Sequence, residues 1–168
     1  MDNVANLIAT LDLEPHPEGG YFTETYRSEE YISAEALSEE YVGSRNHSTC
    51  IYFLLTSDMF SAFHKINQDE IWHFYQGSPI QLHTISEEGN HEEYLIGVDL
   101  SQGQSPQLVV PGNHWFAAKI IDPDSYALVG CTVAPGFDFQ DFTLAKRKKL
   151  IEQFPQHSDL ITEFTRDG

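Results

Sequence analysis

The 168 residues carry 40% hydrophobic and 12% aromatic side chains against 21% charged ones, which excludes a disordered tail protein and fits one globular domain spanning 1–168. A chain of this length buries roughly 70% of the surface it exposes when unfolded, so a single core suffices. Nine basic against 26 acidic residues give a net charge of −17, which repels phosphate backbones and anionic lipid, so no nucleic acid and no membrane is expected as a partner.

In chain order, Val4, Leu7, Ile8 and Leu11 recur at i, i+3, i+4 and i+7, which predicts a short amphipathic helix lying across a sheet. Met1 to Thr10 has neither the basic start nor the apolar stretch of a secretory signal, no later run is long enough to span a membrane, and a cytoplasmic location is expected. After the turn His16-Pro-Glu-Gly-Gly20 come short segments rich in β-branched and aromatic residues: 21–26, 48–55, 60–65, 70–76, 80–85, 92–98, 107–110, 114–121 and 126–133. Gly, Pro, Asn and Asp clusters separate most of them, as expected of strands. The polar stretch 28–40 predicts only a short helical turn from Ser33. Residues 143–154 read as a helix whose solvated face holds Lys146 to Lys149, and Ser158 opens a last short helix ending near Phe164. Many short strands without intervening long helices predict an all-β sandwich or barrel. Cys50 and Cys131, outside any C-x-x-C spacing, read as reduced core thiols.

His64 and Glu70 flank the turn between two of these strands. Alternation puts Phe60, Ala62 and His64 on one face and Glu70, Trp72 and Phe74 on the matching face of the next strand, so imidazole and carboxylate are expected to share one apolar hollow. That pair reads either as a metal site or as an acid/base dyad.

The order His64, Ile66, Glu70, Gly77 resembles the first motif of the cupin superfamily, with Asp58 in place of its leading glycine and Ile66 in place of its second histidine. Pro111-Gly-Asn-His-Trp-Phe116 resembles the second motif, with Phe116 where the last ligand stands. The segments 15–22, 69–75 and 133–139 are similar to the fifth cupin family, a domain of unknown function. The resemblance implies a double-stranded β-helix, or jelly-roll barrel, with short terminal helices: a helix and turn over 1–20, the barrel over 21–139 and a helical segment over 140–168.

Metal-binding cupins hold a divalent ion on three histidines and a glutamate. Two of those four positions are substituted here, so no cofactor is expected; a rebuilt metal set would have to be His64, Glu70 and His114. RmlC-type sugar-nucleotide epimerases share the fold and use a histidine base, an acidic orienter and a tyrosine acid. That resemblance implies a metal-independent isomerase or epimerase acting on a sugar-like or small polar ligand through His64, Glu70 and Tyr52, with Tyr75 disfavoured by parity. The expected ligand-binding residues are Trp72, Phe74, Phe116 and His114, with Trp115 in the same aromatic wall and Arg27 and Lys119 as anion anchors. A non-catalytic binding or sensing module and a metal-dependent cupin with reduced ligation are the alternatives. A homodimer paired through edge strands is expected.

Overall fold

The computed structural model describes residues 2–167. It opens with helix α1 (Asp2–Leu11). Fourteen strands follow: β1 (Glu14–Pro15), β2 (Tyr21–Arg27), β3 (Tyr31–Ile32), β4 (Arg45–Asn46), β5 (Thr49–Thr56), β6 (Ser61–Lys65), β7 (Asp69–Gly77), β8 (Ile80–Ile85), β9 (His91–Ile96), β10 (Gln104–Ser105), β11 (Gln107–Val110), β12 (Trp115–Ile120), β13 (Tyr126–Ala134) and β14 (Thr143–Leu144). The chain closes with α2 (Arg147–Gln153) and α3 (Ser158–Glu163).

Two six-stranded sheets, ordered β1-β2-β5-β13-β7-β11 and β10-β9-β8-β12-β6-β14, form the body, and β3 pairs with β4 apart from them. Pairing is antiparallel except between β9 and β10. This is the jelly-roll arrangement that the cupin resemblance implied, within the all-β sandwich or barrel expected from the many short strands.

Period-two alternation sorts each strand between two environments. On β5, Phe53 and Leu55 enter the core between the sheets with Trp72, Val129, Phe116 and Leu82, whereas Leu54 turns outward. There Leu54 meets Leu128 and the Val4, Leu7, Ile8 and Leu11 stripe of α1, as the helical spacing predicted. The outer face of the second sheet is covered in the same way: Phe63, Ile85 and Trp115 pack under Leu150, Phe154, Ile161 and Phe164. The layers are therefore helix, sheet, sheet, helices. No helix among the described residues is long and apolar enough to cross a membrane.

The helix expected over 143–154 begins only at Arg147, because Thr143 and Leu144 instead add an edge strand to β6. The turn expected from Ser33 is the 3-10 turn Ala34–Ala36.

Candidate functional site

Glu18 enters the molecule from the His16-Pro-Glu-Gly-Gly20 turn. Hydrogen bonds from the His16 amide to the Gly20 carbonyl (2.9 Å) and from the Gly19 amide to the His16 carbonyl (3.0 Å) close that turn. The Ala62 amide of β6 donates to the Glu18 carbonyl at 2.8 Å, and the Arg166 guanidinium donates to the same oxygen at 2.8 Å. Glycine is required here: Gly19 sits at φ +112°, and a Cβ on it would stand 2.2 Å from the Phe60 carbonyl oxygen. Pinned this way, Glu18 is only 5% exposed, and its carboxylate forms an ion pair with Nε2 of His64, itself 3% exposed. The His64 Nδ1–H donates to the Ala62 carbonyl at 2.7 Å, and the Ser61 hydroxyl donates to Glu18 at 3.1 Å. Both ring nitrogens of His64 are thus engaged within the protein.

Burial alone would strip His64 of its proton, but the Glu18 carboxylate, helped by the Ala62 carbonyl, overcomes that and holds the imidazole above its ordinary pKa. Burial likewise pushes Glu18 up, and the neighbouring imidazoles, His64 first, bring it below its ordinary value. The result is a buried imidazolium–carboxylate pair.

His64 and Glu70 both line one cavity of about 300 Å³ between the sheets. Burial, reinforced by the Glu18 charge and only partly relieved by His64, raises Glu70 to about 7. The Cys131 thiol and the Trp72 indole lie beside this carboxyl and favour its anion slightly; the buried Trp72 Nε1 nevertheless closes no hydrogen bond of ordinary geometry.

His16 also lines the cavity. Its Nδ1 accepts the Glu18 amide at 3.2 Å, which leaves the proton on Nε2. Burial lowers its pKa against the opposing Glu18 charge, so the 3.4 Å approach of Nδ1 to the Glu18 carboxylate joins a neutral ring to an anion.

The aromatic wall is not the expected one. Phe22, Phe137, Phe139 and Phe142 line the cavity. The last three come from the segment after β13, which is tied down by the Phe137 amide donating to Thr49 Oγ1 (2.9 Å) and by the buried Arg45–Asp141 ion pair at 2.7 Å. Trp72 and Phe116 instead fill the core beside the cavity, Phe116 with its ring centroid 4.0 Å from that of His64, and Phe74 packs on the same core. Trp115 lies on the opposite face of β12 from Phe116, as adjacent strand residues must.

Lys119 shares Trp115's parity and pairs with Glu163 over Phe164, away from the cavity. Tyr52 is likewise turned to the α1 side, where it packs with Leu54 and Tyr75, because its parity is opposite to that of the cavity-lining Ile51. The expected role of Glu70 as the carboxylate orienting His64 passes to Glu18.

Arg27 does stand at the mouth, but it donates to Glu24 (2.8 and 2.9 Å), to Asn46 Oδ1 (2.7 Å) and to the Phe137 carbonyl (2.9 Å), and so clamps the rim rather than offering a charge.

His114 precedes β12 in the turn after β11, with its Nδ1 donating to the Gly112 carbonyl at 3.3 Å, and does not line the cavity. The set His64, Glu70 and His114 is therefore not assembled. Among the described residues no three His, Cys, Asp or Glu side chains are gathered as metal ligands. With Ile66 and Phe116 at two motif positions and His64 engaged at both nitrogens, the residues present do not fit the divalent ion that the fold implies.

Comparison with known proteins identifies the family. The family described as Cupin superfamily (DUF985) matches residues 5–145. The chain belongs to the cupin superfamily. This cupin is 35% identical over 154 residues to an uncharacterized protein of Saccharomyces cerevisiae, covering 86% of its own length and 76% of the yeast chain. The crystal structure of a Shewanella oneidensis protein superposes with a TM-score of 0.89 at 35% identity, covering 100% of both chains. A hypothetical protein from Leishmania major gives 0.89 at 33% identity, covering 97% of this cupin and 98% of that chain.

The sequence reading missed Glu18, His16 and the three late phenylalanines as site residues. Their signal was present: both stretches lie in the segments that carry the resemblance, 15–22 and 133–139, with Phe142 just beyond.

Proposed function

We propose that this cupin binds a small polar molecule in the cavity and moves a proton on it without a metal, with Glu70 as the exchanging group. One observation carries the reading: a carboxyl raised to about 7 lines a cavity whose neighbouring imidazole and carboxylate already neutralise each other. An acid poised near the working pH transfers protons in both directions most effectively.

The reaction class is proton abstraction next to a carbonyl, as in sugar isomerisation. The Glu70 carboxylate takes the C–H proton and the electron pair moves onto the carbonyl oxygen; the hydroxyl proton of the neighbouring oxygen then passes to that oxygen, and the carboxylic acid returns its proton to the former carbonyl carbon as the new carbonyl forms on the adjacent one. His16 Nε2–H is the hydrogen-bond donor for that oxygen, and the His64 imidazolium offsets the negative charge through space. His64 is a positioning residue in this scheme, because Glu18 and Ala62 occupy its nitrogens.

Incubating the protein with small α-hydroxy aldehydes and ketoses in D2O and following deuterium at carbon by NMR tests the assignment. Incorporation that disappears in Glu70→Gln supports it; ligand binding with no exchange in the wild type leaves the non-catalytic binding module. That second reading has the double engagement of His64 in its favour. Self-association through edge strand β11, where Val109 is 52% exposed, belongs to the same proposal. Sedimentation as a monomer at micromolar concentration would overturn that part.

A further inference from the structure

The charge of the ligand can be read from what the cavity leaves unmatched. Arg27 is the one guanidinium of the lining, and its donors are taken by Glu24, Asn46 and the Phe137 carbonyl. His64 is matched by Glu18. Beside His16, Thr49, Cys131 and the aliphatic Ile51, Ile66 and Val133, the lining offers Glu70, Asp138, whose carboxylate also accepts the Gln140 amide at 2.8 Å, and the rings of Phe22, Phe137, Phe139 and Phe142. The rings form a continuous set, with centroids 4.9 Å apart for Phe137 and Phe139 and 5.8 Å for Phe139 and Phe142, and His16 stands 4.6 Å from Phe22 and 5.9 Å from Phe142.

An anion entering this space would meet two carboxylates and no uncommitted cation among the described lining. A neutral molecule offers no counter-charge to Glu70 when it is ionised beside the Glu18 carboxylate. A compact ammonium suits both features, since it can pair with a carboxylate where water screens poorly and rest against the electron-rich faces of phenyl rings. A cavity of about 300 Å³ holds a group of that size. The net charge of −17 would draw cations toward it.

We infer that the cavity selects a small organic cation, an ammonium-bearing molecule whose charge lies against Glu70 and the phenyl rings of the late segment. This rests on the reading of the cavity as a ligand site and adds the chemical class of what fills it.

The test uses three probes of nearly one shape: choline, its uncharged carbon isostere 3,3-dimethylbutan-1-ol, and the anion 3,3-dimethylbutanoate. Each is titrated into the isotope-labelled full chain while the ring resonances of Phe22, Phe139 and Phe142 are followed by NMR. Choline is expected to bind about tenfold or more tightly than the alcohol, with the carboxylate weakest. Glu70→Gln and, separately, Phe139→Ala should bring choline down toward the alcohol; Phe139 is 52% exposed, so its loss should leave the fold intact. If the alcohol binds as well as choline, or the carboxylate binds better, cation selection fails and the ligand cavity stands. If none of the three moves those rings, the ligand-site reading fails, and the inference fails with it.

Discussion

The carboxylate of Glu18 and the imidazole of His64 form an ion pair inside the protein, with 5% and 3% of their respective residues exposed. One comes from a turn ahead of the first long strand and the other from the far sheet, so this contact ties the N-terminal turn to the barrel as well as setting the charge of the site.

Replacing Glu18 by Gln leaves the His64 imidazole buried without its counter-charge. Removing one partner of a buried pair costs about 3–5 kcal/mol, and a drop of that order in unfolding free energy by urea titration is expected. The His64 pKa, followed by NMR, should fall from above its ordinary value to below it, since burial then acts with less opposition. An unchanged His64 titration would show that the pair does not set its charge.

Glu70 predicts a pH dependence with a definite sign. Its folded pKa of about 7 lies above the ordinary 4.5, so the folded state favours the protonated carboxyl, and stability is lost as pH rises through that window. The difference between wild type and Glu70→Gln should be near zero below pH 4.5. It should grow to roughly 3 kcal/mol in favour of the variant above pH 7. Parallel urea titrations between pH 4 and 8 measure it, and a flat difference would contradict the buried acid.

The pair itself acts in a different window. The lowered Glu18 contributes stability above pH 4.5 that is lost as pH falls through its folded pKa, while the raised His64 contributes stability below pH 6.5 that is lost as pH rises through its folded pKa. Its contribution should therefore be largest between about 4.5 and 6.5, and the destabilisation by Glu18→Gln should peak there.

Gly19→Ala adds a Cβ that would stand 2.2 Å from the Phe60 carbonyl oxygen at a φ of +112°. A substitution at an incompatible φ costs more than about 1 kcal/mol, and the displaced turn should carry Glu18 away from His64. The expected result is a lowered melting temperature together with a lowered His64 pKa. Loss of stability without a change at His64 would separate the turn from the site.

Tyr52→Phe should leave the deuterium exchange proposed for Glu70 unchanged and stability within about 0.5 kcal/mol of wild type, as for surface changes away from special features. The hydroxyl sits on the α1 side of the sheet. A large loss of exchange in this variant would restore tyrosine as the acid.

The sequence alone determined what depends on near neighbours. The α1 stripe, nine strand positions and the shared hollow of His64 and Glu70 follow from periods of 3.6 and 2, which local sterics impose wherever the segment ends up. The tertiary structure decided what depends on distant segments meeting: Glu18 as the partner of His64, the Phe137–Phe142 wall, and the turning away of Tyr52 and His114 from the cavity. Glu18 and the late phenylalanines sit in turns and irregular segments, where no periodicity tells a side chain which way to face; hydrogen bonds to Ala62 and Thr49, contributed by other parts of the chain, set that direction.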